Sequence, residues 1–485
     1  MRLNELCRRM TTLTALEPIL QAQLAELAPK SLVPGYVAGV YHAGQQITPV
    51  HGIANLNTGA PMTADTGWLL GSITKVLTTT ALLRLVERGQ VDLDQPVVRY
   101  VPDFRLSEPG AAERILVRHL VNHTNGIDAD TLMPTREFGP RAVASYISAL
   151  ASCGTLFEPG TFSHYSNPGF TLAGRIIELV TGLPFNEAFE REIYATVGMP
   201  DSSTSATQAI LRRTAIGAFA DPATGGVRPS HLFMLPVSAA PAGATSIVTA
   251  ADLIAFGRTH LNHGVSPNGT RVISRESAEL MRTASFGPGT PNCEPSGLGW
   301  RLTPIGGTVA LGHGGGSPGG TSSLVVFPEL DLIVVGFGSG PGSVAIHDAV
   351  IATVLKELAG RSVEAPYQVS AGPTDLTPYE GEYRHFQSRT TIKAVDGVLE
   401  MASAIEPCDE EHHRFLADYM GGALAFPAVR WVPLTPTLFA VAGAPAEMFH
   451  GVWGRMGLAS FHQPGPDGRF KFMHSLWRAA RRTGA

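Results

Sequence analysis

The chain has 485 residues, which exceeds the usual range of a single domain, so we expect one large domain and one smaller domain. Apolar residues make up 44% of the chain and charged residues 16%, a balance that supports a buried core and excludes extensive disorder. The formal net charge is −5 and no long run of either sign occurs, so nothing favours nucleic acid or an anionic membrane as a partner. A small-molecule or peptide substrate fits this composition better.

Four cysteines, Cys7, Cys153, Cys293 and Cys408, are scattered without a metal-ligand spacing. We therefore expect no disulfide framework, no zinc site and no cofactor. The N-terminus lacks the apolar core of a signal peptide, and no window reaches the roughly 18 apolar residues of a membrane span. We expect a cytoplasmic protein, and the sequence leaves its oligomeric state open.

The first part of the chain has the pattern of a helix followed by a β-hairpin. Apolar residues recur at helical spacing over residues 13–27. An extended apolar run follows over residues 36–41, a glycine turn lies near Gly44, and a second run passes through Ile53. These patterns predict one helix and two paired strands.

The motif Ser72-x-x-Lys75 opens an apolar stretch that predicts a helix over residues 72–88, ended by Gly89. Side chains three residues apart lie on one helix face, so the lysine amine would lie beside the serine hydroxyl. A neighbouring base turns a serine into a nucleophile, and the start of a helix presents N–H groups to an oxyanion, which together favour acyl transfer. The alternative is an ordinary solvated helix face. Of the five lysines in the chain, only Lys75 has a serine three residues before it.

Residues 117–127 join an apolar helical turn to a polar, glycine-ended loop that contains His119 and His123. Their spacing could hold a metal, but no HExxH pattern or nearby carboxylate completes a ligand set, so we favour helix capping or packing. Further along, Pro168 suits the first turn of a helix. Tyr165 and Asn167 are then predicted on the loop just before that helix.

The next part of the chain alternates helical and β patterns. Helical spacing covers residues 173–180, 185–194 and 250–261, and a loop of small residues over 241–246 precedes the last of these. Four further elements follow: a short strand over residues 308–311, a glycine-dense bend over 312–320, a hairpin of strands 323–327 and 332–337, and a helix over 344–358.

Residues 360–378 are polar and contain prolines without periodicity, so we place a domain boundary there. The predicted organisation is a domain over 1–362, a linker over 363–378 and a second domain over 379–485. Short strands are predicted over residues 379–383, 390–394, 398–401, 426–432, 438–441 and 470–477. They indicate an antiparallel barrel or sandwich.

Three motifs in chain order, Ser72-x-x-Lys75, Tyr165-x-Asn167 and His313-Gly314-Gly315, resemble the signatures of the serine β-lactamase and penicillin-binding-protein superfamily, most closely its class C branch. Further landmarks at family spacing extend the likeness over roughly residues 30–360. The resemblance implies an α+β fold, with an antiparallel sheet flanked by helices plus an all-helical subdomain. It also implies a serine hydrolase.

Carried over residue by residue, the resemblance implies that Ser72 is the acylated nucleophile, that Lys75 accepts its proton and that Tyr165 is a second acid/base. It implies that Asn167, Gly314 and Gly315 bind substrate, and that the backbone N–H groups of Ser72 and Gly316 form the oxyanion hole. Loss of one oxyanion donor typically costs about a hundred- to a thousandfold in rate.

The third motif departs from the Lys-Thr-Gly of β-lactamases and D,D-carboxypeptidases, in which a cation and a hydroxyl hold the substrate carboxylate. A histidine is only partly charged near neutral pH, so we expect weak carboxylate anchoring and poor turnover of penicillins. His313 resembles the corresponding residue of esterase and aminopeptidase members, where it would lie near the Tyr165 proton network as a catalytic residue. The alternative is a histidine that merely caps a strand end.

The C-terminal part resembles the lipocalin-like β-barrel of some peptidase, esterase and peptide-cyclising thioesterase members. There the extra domain shapes acceptance of substrate, whereas a purely stabilising role is the alternative. The function implied is hydrolysis of an ester or amide bond, peptides included, through an acyl-serine. Acyl transfer or peptide macrocyclisation would use the same residues, and a non-catalytic binding protein is disfavoured because the motif residues are all present.

Overall fold

The computed structural model describes residues 12–130, 139–286, 295–363, 372–444, 453 and 457–484. Its α-helices are α1 (Leu13–Lys30), α2 (Thr74–Glu87), α3 (Val117–Val121), α4 (Ala142–Ala149), α5 (Asn167–Thr181), α6 (Phe185–Phe189), α7 (Ala195–Val197), α8 (Ala206–Ala209), α9 (Ala250–Leu261), α10 (Arg275–Arg282), α11 (Ser343–Ala359) and α12 (Glu410–Met420).

The strands before the C-terminal region are β1 (Gly35–His42), β2 (Gln45–Ile47), β3 (Val50–Asn55), β4 (Ala60–Pro61), β5 (Trp68–Leu69), β6 (Ala218–Asp221), β7 (Gly226–Pro229), β8 (Ile247–Val248), β9 (Arg301–Ile305), β10 (Thr308–Ser317), β11 (Gly320–Phe327) and β12 (Leu332–Gly338). The C-terminal strands are β13 (Gly381–His385), β14 (Ser388–Val395), β15 (Val398–Ile405), β16 (Ala425–Thr435), β17 (Leu438–Val441), β18 (Leu458–Pro464), β19 (Phe470–Ser475) and β20 (Arg478–Thr483).

The main sheet has the order β4-β3-β1-β12-β11-β10-β9, with β2 beside β1, and the pairings along it are antiparallel. Both faces of its centre are covered. On β12, Val334 packs in a cluster with residues of α1 and α11, whereas Val335 packs with residues of α2, α5 and α9. Successive residues of a strand point to opposite faces, so helices on both sides explain why the whole of β12 is buried and apolar.

The predicted glycine bend over residues 312–320 is wrong, because β10 continues through these glycines to Ser317 and pairs with β9 and β11. The chain turns only at Pro318-Gly319. A Cβ on Gly315 would lie 2.0 Å from the carbonyl oxygen of Leu70. The glycine is therefore needed for close approach of two backbones and not for a turn.

The helix predicted to begin at Ser72 begins two residues later. Gly71–Ile73 form a 3₁₀ turn that leads directly into α2 at Thr74. Gly71 has φ +65°, and a Cβ there would lie 2.4 Å from the carbonyl oxygen of Gly316. This backbone contact brings β10 against the Ser72 turn.

The C-terminal strands β13 to β20 form a closed antiparallel barrel, which decides between the barrel and the sandwich. The sequence patterns missed α12, β18 and β20, because the strand predicted over residues 470–477 covers β19 but ends before β20. Those two strands are joined by a tight turn in which Leu476 and Trp477 have φ of +50° and +62°. Tight hairpin turns usually contain Asn or Gly, which makes them recognisable in a sequence, and this turn has neither.

The barrel packs against the rest of the chain beside the loop that holds Tyr165. Phe472 and Ala479 of the barrel share an apolar cluster with Leu156, Phe157 and Phe162. The backbone N–H of Tyr165 donates to the carbonyl oxygen of Trp477 at 2.8 Å. The turn between β19 and β20 is thereby fixed next to the second motif. The boundaries at residues 362 and 378 stay predictions, and residues 364–371 lie outside the described part.

Two of the cysteines, Cys7 and Cys293, lie outside the described residues. Cys153 is buried and Cys408 is exposed, and both are free thiols. Among the described residues, no group of His, Cys, Asp and Glu is arranged to hold a metal ion. No helix in the described ranges combines the length and apolar character that crossing a membrane requires.

Candidate active site

Lys75 and Ser72 are in hydrogen-bond contact, as their spacing predicts. Lys75 Nζ lies 3.0 Å from Ser72 Oγ and donates to the carbonyl oxygen of Ala242 at 2.6 Å. Its side chain is fully buried. The Ala242 carbonyl ends the 3₁₀ segment Val237–Ala242, and a Cβ on the next residue, Gly243, would lie 2.3 Å from the Gly71 carbonyl oxygen. Lys75 Nζ therefore contacts the Ser72 turn on one side and the end of the Val237–Ala242 segment on the other.

The pKa of Lys75 lies well below its ordinary value. Burial is the main cause, because it penalises the charged amine, and the nearby cations Arg478 and Arg301 lower the pKa further. The carboxylate of Asp130 opposes this shift without overcoming it. The lowered pKa increases the fraction of the amine that is neutral at a given pH, and the neutral amine is the form that can act as a base.

The Tyr165 hydroxyl is hydrogen-bonded with the Ser72 side chain, whose oxygen also contacts Lys75 Nζ. Burial raises the pKa of Tyr165, while Arg301 and this hydrogen bond oppose the rise. Lys75 Nζ lies 4.9 Å from the centroid of the tyrosine ring. Tyr165 precedes α5, whose cap is Ser166, with Ser166 Oγ accepting from the N–H of Gly169 at 3.1 Å.

Asn167 is the first residue of α5 and not, as predicted, a loop residue. Its Nδ2 donates to Asp130 Oδ1 at 2.8 Å, and the other carboxylate oxygen of Asp130 forms an ion pair with Arg478 of β20. The guanidinium of Arg478 also lies 5.7 Å from the centroid of the Tyr165 ring. Sequence reasoning missed Asp130, Arg301 and Arg478, and no local pattern marks them.

The capping and packing interpretation of His119 and His123 is confirmed. His119 Nδ1 accepts from the backbone N–H of Leu116 at 3.2 Å, at the start of α3. His123 Nδ1 accepts from the N–H of Ser166 at 3.0 Å, and its ring centroid lies 4.6 Å from that of Tyr165. His123 therefore holds the loop of the second motif in place.

His313 lies in the middle of β10, so the interpretation as a strand-end cap is wrong. The side chain is 1% exposed, and its Nδ1 donates to the carbonyl oxygen of Gly314 at 2.6 Å. Nε2 has no hydrogen-bond partner among the described residues, and the ring centroid lies 6.3 Å from that of Tyr165. Burial, then Arg301 and Lys75, lower the pKa of His313 well below its ordinary value, so this histidine supplies no positive charge.

The three glycines after His313 lie in different surroundings. A Cβ on Gly314 would lie 2.5 Å from the indole of Trp453, and one on Gly315 would meet the Leu70 carbonyl. A Cβ on Gly316 would meet only the Tyr419 hydroxyl, at 3.9 Å. Gly316 thus faces open space beside Ser72, whereas the space a threonine hydroxyl would need at Gly314 is occupied.

A cavity of about 490 Å³ opens at Ser72. Its lining from the N-terminal part of the chain includes Gly71, Ser72, Asp130, Asn167 and Gly316. Most of its other lining residues belong to the barrel and α12, and these are mainly apolar. The barrel therefore forms part of the site and does not merely adjoin it.

A family model described as Beta-lactamase matches residues 20–356, which is more than half of the chain. The chain belongs to the β-lactamase family. Penicillin-binding protein 4 of Amycolatopsis lactamdurans is 30% identical over 373 residues, covering 75% of this chain and 96% of that protein. The resemblance inferred from the three motifs is confirmed, and the chain is a serine hydrolase of this family.

Solved structures of the family are similar as well. The structure of SurE superposes with a TM-score of 0.71 at 22% identity and covers 97% of this chain and 99% of its own, so the shared fold includes the barrel region. The D-amino acid amidase of Ochrobactrum anthropi SV3 has a TM-score of 0.58 at 27% identity, covering 72% of this chain and 98% of its own. The predicted α+β fold with a C-terminal antiparallel barrel is confirmed.

Proposed function

We propose that this protein hydrolyses an ester or amide bond through an acyl-Ser72 intermediate. The observation that carries the proposal is the contact of Lys75 Nζ with Ser72 Oγ at 3.0 Å, made by an amine whose pKa burial holds well below its ordinary value. A neutral amine at this distance is a base ready to take the serine proton.

In acylation, Ser72 Oγ attacks the carbonyl carbon of the substrate while its proton passes to Lys75 Nζ. The N–H groups of Ser72 and Gly316 would stabilise the negative charge that develops on the carbonyl oxygen. Tyr165 lies against both Ser72 and Lys75 and would relay the proton to the leaving alcohol or amine. In deacylation a water molecule attacks the acyl carbon, its proton returns through the same groups, and Ser72 Oγ is released with a proton.

Asn167 is proposed to bind the polar group next to the scissile bond. One of its two Nδ2–H groups donates to Asp130, which leaves the second N–H to donate to the substrate and the side-chain carbonyl oxygen to accept from a substrate N–H. An amide-bearing substrate would satisfy that acceptor. The likeness to a D-amino acid amidase at 27% identity supports including amides of D-amino acids among the candidates.

Acyl transfer to an amine or alcohol is the second candidate, and the enclosure of the cleft favours it. The cavity beside Ser72 is lined mostly by apolar residues of the barrel, which limits the access of water to an acyl-serine. Under this alternative the same acyl-Ser72 forms, and the second step uses a different nucleophile.

The test begins with a fluorophosphonate probe and intact mass measurement of wild type and Ser72→Ala. We expect one probe adduct on wild type and none on the variant, whereas equal labelling of both would contradict an acyl-Ser72 mechanism. Turnover of p-nitrophenyl esters and of D- and L-aminoacyl p-nitroanilides, with and without hydroxylamine, then separates the two candidates. Hydrolysis that hydroxylamine does not accelerate supports the hydrolase, and a dominant hydroxamate product supports the transferase.

A further inference from the structure

The cavity at Ser72 continues into the interior of the barrel. Several of its lining residues lie two positions apart along the strands, which is the spacing of side chains that point to one face. They include Thr390 on β14, Met401 and Ser403 on β15, Trp431 on β16, Met473 on β19 and Ala480 on β20. Lys393 and Glu400 occupy alternate positions of β14 and β15 and do not line the cavity.

Away from Ser72, the inward-facing positions of β14 and β15 change from cavity wall to packed core. Along β14 the inward positions line the cavity at Ser388 and Thr390 and are packed core at Ile392. Along β15, which runs the opposite way, the lining residues Ser403 and Met401 are followed by the core residue Leu399.

An aromatic cluster belongs to the same packed core. The Tyr379 ring lies 5.0 Å, centroid to centroid, from each of Phe439, Phe461 and Phe470, and none of the four lines the cavity. The chamber therefore opens at the Ser72 cleft and has an aromatic floor on the side away from Ser72.

Trp431 is one of the residues of the chamber wall, together with His385, that carry a buried polar atom without a hydrogen-bond partner within the described residues. Trp431 is 8% exposed and lines the cavity, and its Nε1–H finds no acceptor there. Buried donors are almost always satisfied, and an orphaned one requires an explanation. An acceptor on the occupant of the chamber would supply it.

We propose that the barrel lumen is the acyl-binding chamber of this enzyme and that its occupant is an elongated, mainly apolar acyl chain carrying one carbonyl-type acceptor for Trp431. The inference rests on the proposed acyl-Ser72 chemistry and names the substrate class. The volume of about 490 Å³ falls in the range of about 300–1,000 Å³ that encloses small ligands. Each methylene buried in such a chamber strengthens binding about fourfold.

The first experiment measures kcat/KM for p-nitrophenyl esters from acetate to dodecanoate. We expect a rise with acyl length up to a sharp limit set by the chamber floor. In Ser403→Phe, which fills the lumen, the decanoate-to-butyrate ratio of kcat/KM should fall at least tenfold. In Met401→Ala, which deepens it, the limit should move to longer chains. Lys393→Phe adds the same ring at an exposed outward position of β14 and should keep the wild-type ratio.

The chamber assignment would be overturned if kcat/KM of wild type did not change with acyl length. It would also be overturned if Ser403→Phe and Lys393→Phe had the same decanoate-to-butyrate ratio of kcat/KM. A second series keeps the acyl group as acetate and lengthens the alcohol instead. A length dependence found only in that series would place the leaving group in the barrel and overturn the acyl assignment. Labelling of Ser72 by a fluorophosphonate tests the chemistry separately, since a labelled enzyme without length selectivity contradicts only the chamber.

The proposed hydrogen bond from Trp431 to the occupant is tested with a series of esters, each of which has a carbonyl in place of one methylene of the acyl chain, at successive positions along it. Wild type should prefer one position, and Trp431→Phe should lose that preference while it keeps the rise with chain length. An equal response of wild type to all positions would contradict the assignment of Trp431.

Discussion

Arg478, on the last strand of the barrel, forms an ion pair with Asp130, whose other carboxylate oxygen accepts from Asn167 at 2.8 Å. A residue of the C-terminal barrel is thereby tied to the second of the three motifs. The same guanidinium is the largest charged contributor to the lowered pKa of Lys75. The barrel thus acts on the proposed base electrostatically as well as by closing the cleft.

Replacing Arg478 by Met should move the activity of the enzyme to higher pH. The loss of this cation, together with the unpaired Asp130 carboxylate, raises the pKa of Lys75, and Lys75 acts as a base only when neutral. The rising limb of the acylation rate against pH should therefore move upward, and the rate at a fixed low pH should fall about tenfold for each pH unit that the limb moves. The measurement is the pre-steady-state acylation rate from pH 5 to 10. A uniform loss at every pH would assign Arg478 a structural role only.

Lys75→Arg should reduce the acylation rate at least about a hundredfold, the lower range for a general base. Arginine keeps the charge and most of the length but stays protonated near neutral pH. The rate is to be compared with wild type in proteins of matched melting temperature. A loss under tenfold in a well-folded variant would move the base role to another group, with Tyr165 the first candidate.

Nitrocefin should be a poor substrate beside short-chain p-nitrophenyl esters. The third motif supplies no cation, because His313 is buried with a lowered pKa, and Arg478 is already paired with Asp130. Comparable kcat/KM values for nitrocefin and p-nitrophenyl butyrate would contradict this account. Gly314→Thr, which restores the hydroxyl of the family motif, should destabilise the protein instead of creating β-lactam turnover, because Trp453 occupies that space.

Gly71→Ala should lower both stability and activity, because the new Cβ would lie 2.4 Å from the Gly316 carbonyl in a left-handed backbone conformation. We expect a loss of about 1–3 kcal/mol in the free energy of unfolding. Gly89→Ala is the matched control, since Gly89 has φ +70° but a Cβ there would have no atom within 4 Å. Comparing the thermal melts and ester turnover of the two variants separates the effect of the clash with Gly316 from that of the left-handed backbone conformation. Equal behaviour of the two would show that the backbone strain alone matters.

The elements that sequence patterns predicted well are those whose burial is periodic. Helix α9 was predicted with its observed ends, and α1 and α11 within three residues, because one apolar stripe faces the sheet in each. The barrel was predicted less completely. Helix α12 and strands β18 and β20 were missed, and the turn that separates β20 from β19 carries no Gly or Asn signal.

Local sequence was enough to predict the family, the Ser72–Lys75 pair and the placement of Tyr165 before a capped helix. These depend on short spacings, which a single turn of helix converts into contact. Folding of the whole chain was needed for the pairing of Asp130 with Arg478, which are 348 residues apart, for the burial that lowers the pKa of Lys75, and for the extension of the cleft into the barrel. Such features arise from the desolvation and charge that distant segments impose on one another, and no local pattern encodes them.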